Sequence, residues 1–393
     1  MDSRPIAILL LFSLVAGCKP EEFVPPEPSN KMAIVDSTQI AVNPQDPDVP
    51  EVTPTEPEIP EDAILVTNAY MEKYLEEVHY TAGDFTYSKI LDYPGGGPGE
   101  ADIPPSVTIS WPEGTAGALT LTLTEGDWSR EFTLSAGKTS LDVTNLVPGK
   151  RYDWVVTSSD GKEVAGDSFY TKGHLHQIFF TKQARNGRDL GGWRTTDGHT
   201  VKYRKLFRGG KMSEGYIDSA GIKDALAEGI KAELELREES SASKVSPLGK
   251  DIDLCAPYFE HGYKAMLEEG AKVKMAFEFV VNCLREDKPV FFHCAIGSDR
   301  TGTFSILLLG LLGVPEPDIC KEYEITYFAP EKWSVTNGKV DRLRTNKNRY
   351  LQAINYFLTF GTYKDFRACV EKYMLSVGVS QKDISDFRTL MLE

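Results

Sequence analysis

The sequence predicts a multidomain protein in which a β-sandwich is followed by an α/β domain with a central sheet flanked by helices. A chain of 393 residues is longer than a single hydrophobic core usually organises, so two or more domains are expected. Residues 104–172 alternate apolar and polar side chains with the two-residue period of half-buried strands. From residue 173 to residue 393, short apolar runs alternate with helical periods, which is typical of an α/β domain.

Residues 1–17 have the features of a cleaved signal peptide. Arg4 precedes an apolar run from Ile6 to Ala16, which is too short to span a bilayer permanently. The run leads into Leu14-Val15-Ala16-Gly17-Cys18, which resembles the lipobox of bacterial lipoproteins. This resemblance implies that Cys18 is lipidated and becomes the mature N-terminus; an ordinary secretory signal with an incidental cysteine is the alternative. The expected location is the bacterial cell envelope, with the protein lipid-anchored and either periplasmic or surface-exposed.

Two segments separate the signal from the β-sandwich. Residues 18–62 are rich in Pro, Asp and Glu and lack an apolar period, which indicates a disordered, extended tether. Residues 63–103 form a connecting segment with one amphipathic helix candidate, Tyr70 to Val78, ahead of a glycine-rich turn at 94–99. The sequence assigns this segment no role, and one interpretation is that it packs on the next domain.

Short strands are predicted at five places between residues 104 and 172. Their apolar positions lie at 107–111, 119–123, 132–134, 141–143 and 152–156, with glycine-containing turns between them. This pattern describes a β-sandwich. The segment from Leu146 to Tyr152 resembles the tyrosine-corner segment of fibronectin type III domains, and Trp111 lies where that family has an early-strand tryptophan. Another sandwich of the same class is the alternative.

The α/β domain is predicted from two buried strands and five helical periods. The strands run from Ala232 to Leu236 and from Val290 to Phe292. The helical periods cover residues 217–228, 263–285, 306–312, 351–358 and 366–377.

A loop that follows the second strand has the composition of an anion site. His293 and Cys294 end the strand, and Arg300-Thr301-Gly302 opens an apolar helix. A loop of five residues between the cysteine and the arginine can turn its N–H groups inward, and the helix N-terminus adds its positive end. Phosphate is the expected ligand. The residues expected to bind it are Ala295, Ile296, Gly297, Ser298, Asp299 and Arg300.

The same loop predicts a nucleophile. The loop amides, the helix dipole and the Arg300 guanidinium all favour the thiolate form of Cys294. Arg300 can hold two phosphoryl oxygens and stabilise the charge that develops in the transition state. Thr301 offers its hydroxyl to the thiolate when the thiolate departs. The alternative is a buried, inert cysteine ahead of a helix.

Residues 293–302 resemble the His-Cys-x5-Arg-Thr-Gly signature of cysteine-based tyrosine and dual-specificity phosphatases. The resemblance is strongest to the bacterial tyrosine/serine phosphatase family, in which an Asp, here Asp299, directly precedes the Arg. Residues 186–192 match the Asn-x-Arg-Asp-Leu-Gly-Gly segment of that family, and residues 206–210 match its Arg-Ser-Gly-like step. The resemblance spans roughly residues 175–393 and implies a phosphocysteine intermediate on Cys294 that water hydrolyses.

Two departures from the family pattern bear on mechanism and substrate. Glu235-Leu236-Arg237 stands where the family usually has Asp-Leu-Arg, so the general acid is expected to be Asp299 first and Glu235 second. Either carboxyl could instead be structural, Asp299 as an ion-pair partner of the loop arginine. Ser298 occupies a position where members acting on phosphoinositides carry Lys. His293 is expected to hydrogen-bond the loop backbone and the thiolate rather than act as a base.

Together these features predict an exported phosphomonoesterase that acts on phosphotyrosine or phosphoserine/threonine proteins. A phosphoinositide or inositol-phosphate phosphatase is the alternative enzyme, and a surface binding module with a phospho-ligand pocket is the alternative of another class. The expected partners are therefore a phosphorylated protein, small molecule or lipid, and the membrane through the lipid on Cys18. The net charge of -15 argues against nucleic acid. The six cysteines show no zinc-type spacing, so neither a metal nor a cofactor is expected.

Overall fold

The computed structural model describes residues 59–77, 90–97, 99–112, 117–180, 185–213, 215–330, 333–336, 339–342 and 347–393. These residues belong to one compact unit, Pro57–Glu393. The signal peptide, the lipidation site at Cys18 and almost all of the predicted tether lie outside the described residues, so these expectations stay predictions. None of the helices in the described ranges combines the length and apolar character needed to cross a membrane.

Within the described residues, the first part of the compact unit has seven strands in two sheets. The strands are β1 (Ile64–Leu65), β2 (Val107–Ser110), β3 (Leu119–Glu125), β4 (Trp128–Leu134), β5 (Ser140–Val143), β6 (Arg151–Ser158) and β7 (Glu163–Lys172). One sheet has the order β1-β7-β6-β3-β4, and the other pairs β2 with β5. All five predicted strand positions are strands, and β7 adds one that the apolar alternation did not indicate.

Both sheets contribute side chains to one apolar core. Ile109 and Trp111 from the edge of the small sheet and Leu121 from the large sheet belong to the same buried cluster. The Tyr152 hydroxyl accepts a hydrogen bond from the Val147 N–H at 2.9 Å. This bond closes the corner between β5 and β6. The assignment to the fibronectin type III family stays a prediction.

The second part is an α/β arrangement around a five-stranded sheet of order β11-β10-β12-β9-β8. Its strands are β8 (Arg188–Asp189), β9 (Leu206–Gly209), β10 (Ala232–Glu235), β11 (Asp253–Cys255) and β12 (Val290–His293). Strands β9 to β12 run parallel, with β12 between β9 and β10. The carboxyl ends of β9, β10 and β12 therefore lie along one edge of the sheet. A separate two-stranded antiparallel sheet pairs β13 (Trp333–Thr336) with β14 (Lys339–Arg342).

The chain also forms helices, most of which surround this sheet. They are α1 (Ala69–Glu76), α2 (Ser219–Ala227), α3 (Tyr263–Glu268), α4 (Gly270–Arg285), α5 (Asp299–Leu312), α6 (Glu316–Glu324), α7 (Lys347–Leu358), α8 (Phe366–Ser376) and α9 (Gln381–Met391). Helix α5 is buried along almost its whole length and starts where the β12 loop ends.

The sequence predicted one helix over residues 263–285, and the structure breaks it into α3 and α4. Glu269 has a non-helical backbone at the junction. A Cβ atom on Gly270 would lie 2.6 Å from Cγ1 of Val377, so only glycine lets the chain approach the end of α8 this closely. Packing between distant segments thus sets the break, which helical periodicity could not reveal.

The connecting segment 63–103 contacts both parts. Strand β1 pairs in parallel with β7 of the large sheet. Helix α1 begins after Asn68, whose side chain accepts a hydrogen bond from the Tyr70 N–H. The helix then packs into the α/β core, where the Tyr74 hydroxyl donates to Glu324 at 2.8 Å.

Candidate active site

The anion-binding loop lies at the carboxyl edge of the parallel sheet. Strand β12 ends at His293, Ser298 is the N-cap position of α5, and the helix begins at Asp299. Gly297 has φ +72°, and a Cβ atom there would lie 2.7 Å from the backbone of Gly209 at the end of β9. A side chain at position 297 would therefore clash with a neighbouring strand as well as strain the turn.

The orientation of the loop peptides follows from what their carbonyl oxygens contact. The Ala295 carbonyl accepts from the Lys211 N–H at 3.2 Å. The carbonyls of Ile296 and Gly297 accept from the Asn186 amide at 3.3 and 2.9 Å. Because the C=O and N–H of a trans peptide point in opposite directions, the following N–H groups are directed away from these contacts. Those N–H groups are available to an anion held inside the loop.

Cys294 lies in this loop with only 2% of its surface exposed. Burial alone would raise the pKa of the thiol, but the Thr301 side chain, the Thr301 N–H and the Arg300 charge together bring the pKa below its ordinary value, against an opposing effect of Asp299. The Thr301 hydroxyl is buried and contacts no nitrogen or oxygen partner among the described residues. The hydroxyl is therefore available as a hydrogen-bond donor to the Cys294 sulfur.

Arg300 is held beside the loop by two acceptors. Its guanidinium forms an ion pair with Glu238 and donates to the Phe259 carbonyl at 2.9 Å. The hydrogen bond from Arg300, followed by that from Ser241, lowers the pKa of Glu238 to about 2. Glu238 therefore stays ionised and positions the guanidinium before any ligand binds.

A buried polar network supports the loop from below. Arg208 donates to the Gly297 carbonyl and to both oxygens of Glu322, at 3.1 and 3.0 Å. Arg188 binds the same Glu322 carboxylate at 2.8 Å and also donates to the Asn186 side chain at 2.5 Å. One carboxylate thus aligns two arginines under the loop.

The network is also electrostatically coupled to the thiol. Burial and the neighbouring Arg188 lower the pKa of Arg208 to about 9, while Glu322 and Cys294 act in the opposite direction. The attraction between Arg208 and Cys294 is mutual, so the Arg208 charge also favours the thiolate.

His293 is fully buried, and its Nδ1 lies 3.2 Å from the Cys294 carbonyl, which is the expected contact with the loop backbone. The expected hydrogen bond from His293 to the thiolate is not found among the described residues, where the ring nitrogens contact the Cys294 carbonyl and Glu233. The Nε2 of His293 lies 2.8 Å from Glu233, a partner that the sequence did not indicate. Burial lowers the pKa of His293, but the Glu233 hydrogen bond and the Glu235 charge outweigh it and raise the pKa. These contacts orient the loop rather than position a base.

Glu235, the second candidate acid, is fully buried and paired with Arg237. Its carboxylate receives Arg237 Nε at 3.0 and 2.9 Å and Nη2 at 2.6 Å. Burial raises the pKa of Glu235, but the charge of His293 and the bonds from Arg237 lower the pKa by a larger amount. The net shift is downward, so the carboxyl is held ionised. A general acid must carry a proton, and this environment disfavours one.

Asp299, the first candidate acid, lies at the N-terminus of α5 and is 40% exposed at its side chain. The Tyr263 hydroxyl donates to one carboxylate oxygen at 2.6 Å, and Arg349 lies 3.4 Å from the other. Burial and the Asp299 charge raise the pKa of Tyr263, so the phenol remains a donor. Asp299 does not pair with Arg300, which takes Glu238 instead.

Ser298 is the loop residue that stands in place of the lysine. Its carbonyl accepts from the Gly302 N–H at 3.0 Å, in the first turn of α5. Its hydroxyl is buried and has no hydrogen-bond partner among the described residues.

One cluster in the described part of the chain has the composition of a metal site: Glu233, Glu235 and His293. All three are already paired, His293 with Glu233 and Glu235 with Arg237. The adjacent guanidinium opposes a cation there. The expectation that no metal takes part is unaffected by this cluster.

Several supporting residues were not identified from the sequence: Glu233, Glu238, Tyr263, Glu322 and Thr326. Their partners lie 36 to 140 residues away along the chain, as in Tyr263 with Asp299 and Thr326 with Asn186. No local spacing signals such pairs.

Comparison with known proteins agrees with this geometry. The sequence model of the tyrosine phosphatase family matches residues 180–393. A Cupriavidus necator protein named as a tyrosine-protein phosphatase is 25% identical over 162 residues, covering 35% of this chain and 59% of that protein. A tyrosine-protein phosphatase of Nostoc commune is 28% identical over 115 residues, covering 26% of this chain and 39% of that protein. The chain thus spans less than two thirds of either relative.

Among solved structures, TpbA of P. aeruginosa is similar over 44% of this chain and 90% of its own, with 12% identity and a TM-score of 0.29. The Yvh1 phosphatase domain from Chaetomium thermophilum is similar over 47% of this chain and 99% of its own, with 16% identity and a TM-score of 0.24. Scores this low add nothing to the assignment, which comes from the match over residues 180–393.

Proposed function

The chain belongs to the tyrosine phosphatase family, and we propose that it hydrolyses phosphate monoesters of proteins, phosphotyrosine above all, through a phosphocysteine intermediate on Cys294. One observation carries this proposal: the buried Cys294 thiol has a lowered pKa inside a loop that Arg300 and Thr301 complete. A thiolate at the centre of an anion site is the arrangement that nucleophilic attack on phosphorus requires.

In the first step, the Cys294 sulfur attacks phosphorus, a P–S bond forms and the P–O bond to the leaving group breaks. The leaving oxygen takes a proton from Asp299, which lies at the loop and is partly exposed. Arg300 and the loop N–H groups stabilise the charge on the three remaining phosphoryl oxygens. Glu238 holds Arg300 near this position in advance.

In the second step, water attacks the phosphocysteine and the P–S bond breaks. Asp299, now ionised, accepts the proton from this water. The Thr301 hydroxyl stabilises the departing thiolate, in keeping with its contribution to the lowered pKa of Cys294. Inorganic phosphate leaves, and the enzyme returns to its initial state.

The test is hydrolysis of p-nitrophenyl phosphate by the purified protein without divalent metal. We expect Cys294→Ser to abolish turnover and to retain binding of inorganic phosphate, because serine keeps the loop but lacks a thiolate at neutral pH. A panel of phosphotyrosine peptide, phosphoserine peptide, phosphoinositide and inositol hexakisphosphate then ranks the substrates. Full activity of Cys294→Ser, or hydrolysis that strictly requires a divalent metal, would contradict this mechanism.

We also propose that the enzyme is exported and held at the bacterial cell envelope by a lipid on Cys18. The support is the apolar run of residues 6–16 and the small residues that precede Cys18. In cells that express the full chain, Cys18→Ser is expected to move the protein from the membrane fraction to the soluble fraction. Continued membrane association of this variant would contradict lipid anchoring.

The strands of residues 107–172 are proposed to be a fibronectin type III-like domain. The Tyr152 hydroxyl, which accepts from an N–H five residues earlier, supports a tyrosine corner of the kind found in that family.

A further inference from the structure

The connecting segment 63–103 precedes the part of the chain that matches the phosphatase family. Asp102 in this segment nevertheless bonds to Asn186, which in turn bonds to the phosphate-binding loop. The last residue of a short 3₁₀ turn, Asp102, is 5% exposed and directs its carboxylate at the backbone of Asn186. The Asn186 N–H donates to both carboxylate oxygens, at 3.0 and 2.8 Å. This is a charge-assisted contact in a buried setting, where such bonds are strongest.

Asn186 has a backbone conformation that such a contact stabilises. Its φ of +59° lies in the left-handed region, which asparagine tolerates better than most residues but still at a cost. Residues held there need surrounding contacts that determine the conformation. The Asp102 carboxylate provides one by fixing the Asn186 N–H.

The Asn186 side chain in turn holds the loop. Its amide donates to the Gly297 carbonyl at 2.9 Å and to the Ile296 carbonyl at 3.3 Å. These are the carbonyls whose outward orientation leaves the next N–H groups available to an anion. Any rotation of Asn186 would release them.

The turn that carries Asp102 is anchored on both sides by Asn68, whose amide donates to the Glu100 carbonyl at 3.0 Å and to the Ile103 carbonyl at 3.1 Å. Gln177 donates to the Ala101 carbonyl at 2.9 Å, immediately before Asp102. Further upstream, Lys321 donates to the Leu75 carbonyl at 2.9 Å from helix α6, the helix that carries Glu322. Asp102 is therefore presented to Asn186 by a fixed element.

We propose that Asp102 is a positioning residue for the phosphate-binding loop, acting through Asn186, and that the turn Glu100–Asp102 of the connecting segment is thereby a functional part of the phosphatase. The inference rests on the proposed function for its biological meaning. Independently of that function, Asp102 sets the affinity of the loop for an anion and the ionisation of Cys294.

The experiment measures two quantities in the purified full-length protein: binding of inorganic phosphate, and the pH dependence of Cys294 alkylation by iodoacetate. Asp102→Ala is expected to weaken phosphate binding about tenfold, since a buried N–H loses its charged partner. The midpoint of alkylation is expected to move to higher pH in the same variant. Asp102→Asn keeps an oxygen acceptor and is expected to restore most of both properties. If Asp102→Ala does not fold, Asp102→Ser takes its place and should give an intermediate defect.

The matched control is Tyr74→Phe, which removes one buried hydrogen bond from the same segment to Glu324 without touching the loop. It is expected to lower thermal stability while leaving phosphate binding and alkylation unchanged. Asn186→Gly removes the side-chain amide that bonds to the loop, while glycine adopts positive φ without strain, so this variant should show the same loss of phosphate binding. Adding Asp102→Ala to Asn186→Gly should weaken phosphate binding no further.

Unchanged phosphate binding and alkylation in Asp102→Ala would overturn the inference, as would an equal defect in Tyr74→Phe or full additivity with Asn186→Gly. Neither readout requires turnover. A wild-type protein that fails to hydrolyse phosphate esters would therefore refute the proposed function alone, and the Asp102 effects on the loop would still support the inference.

Discussion

At the residue scale, the two candidate acids differ in what surrounds them. Glu235 is buried against Arg237 and His293, which hold it ionised. Asp299 is partly exposed at the loop, and its neighbour Tyr263 donates a hydrogen bond to one oxygen only. The other oxygen accepts from Arg349 at 3.4 Å, and 40% of the side chain is exposed, so a substrate can reach Asp299 but not the fully buried Glu235.

Replacing each carboxyl in turn tests which of the two is the general acid. Asp299→Asn is expected to lower kcat about 10²- to 10⁴-fold for phenyl phosphate, whose leaving group needs a proton. The loss should be much smaller for p-nitrophenyl phosphate, whose leaving group departs readily as an anion. Steady-state kinetics on both esters measures the difference.

Glu235→Gln serves as the comparison. Removing the charge partner of a buried arginine is expected to cost stability, about 3 to 5 kcal/mol at most, without selective loss on phenyl phosphate. A leaving-group-dependent loss in Glu235→Gln, and none in Asp299→Asn, would reverse the assignment.

At the element scale, the loop between β12 and α5 works because the strand, the turn and the helix end are packed against β9. Gly297 is the point of closest approach, where no side chain fits between the loop and Gly209. The N-terminus of α5 adds its partial positive charge to the same position. The site thus depends on the contact between two strands as much as on its own residues.

Gly297→Ala tests this dependence. The added methyl group meets the Gly209 backbone at 2.7 Å and also occupies a positive φ, so phosphate binding is expected to fall at least about tenfold. Gly137→Ala is the matched control, because Gly137 has φ +78° and no atom within 4 Å of the added methyl group. Isothermal titration with phosphate distinguishes them; equal binding in both variants would argue against the clash.

At the scale of the whole molecule, the β-strand region and the α/β region share a polar contact centred on Arg204. Its guanidinium pairs with the buried Glu228, donates to the Tyr152 hydroxyl at 3.2 Å and lies 4.0 Å over the Trp128 ring. The Trp128 indole donates to the Ala227 carbonyl at the end of α2 at 3.0 Å. The tyrosine of the corner between β5 and β6 therefore also bonds across the interface.

Arg204→Met is expected to lower the free energy of unfolding by about 3 to 5 kcal/mol, because it leaves Glu228 buried without its arginine. Arg151→Met is the control: the Arg151–Asp153 pair is exposed, with 54% of each side chain accessible, and should contribute no more than about 1 kcal/mol. Urea denaturation followed by tryptophan fluorescence compares the two variants. Equal losses would mean that Arg204 does not join the two regions.

Much of the fold was predictable because its signals are local. The strands of residues 107–158 and the strands around residues 232 and 290 were recognised from apolar patterns that depend on neighbouring positions only. The break at Glu269 was not recognised, because it reflects the approach of Val377, a residue distant in sequence. The sequence patterns also did not predict helices α6 and α9. Which of their side chains are buried is decided by the core that these helices cover.

The candidate site divides in the same way. The sequence alone determined the phosphate loop of residues 293–302, since a nucleophile, a backbone cradle and an arginine can be recognised when they lie within one turn and one helix start. Only the tertiary structure decided which groups hold that loop in place: Glu238 on Arg300, Glu322 on two arginines, and Asp102 on Asn186. The physical reason is that these hydrogen bonds join segments 62 to 134 residues apart, and packing alone brings such segments together.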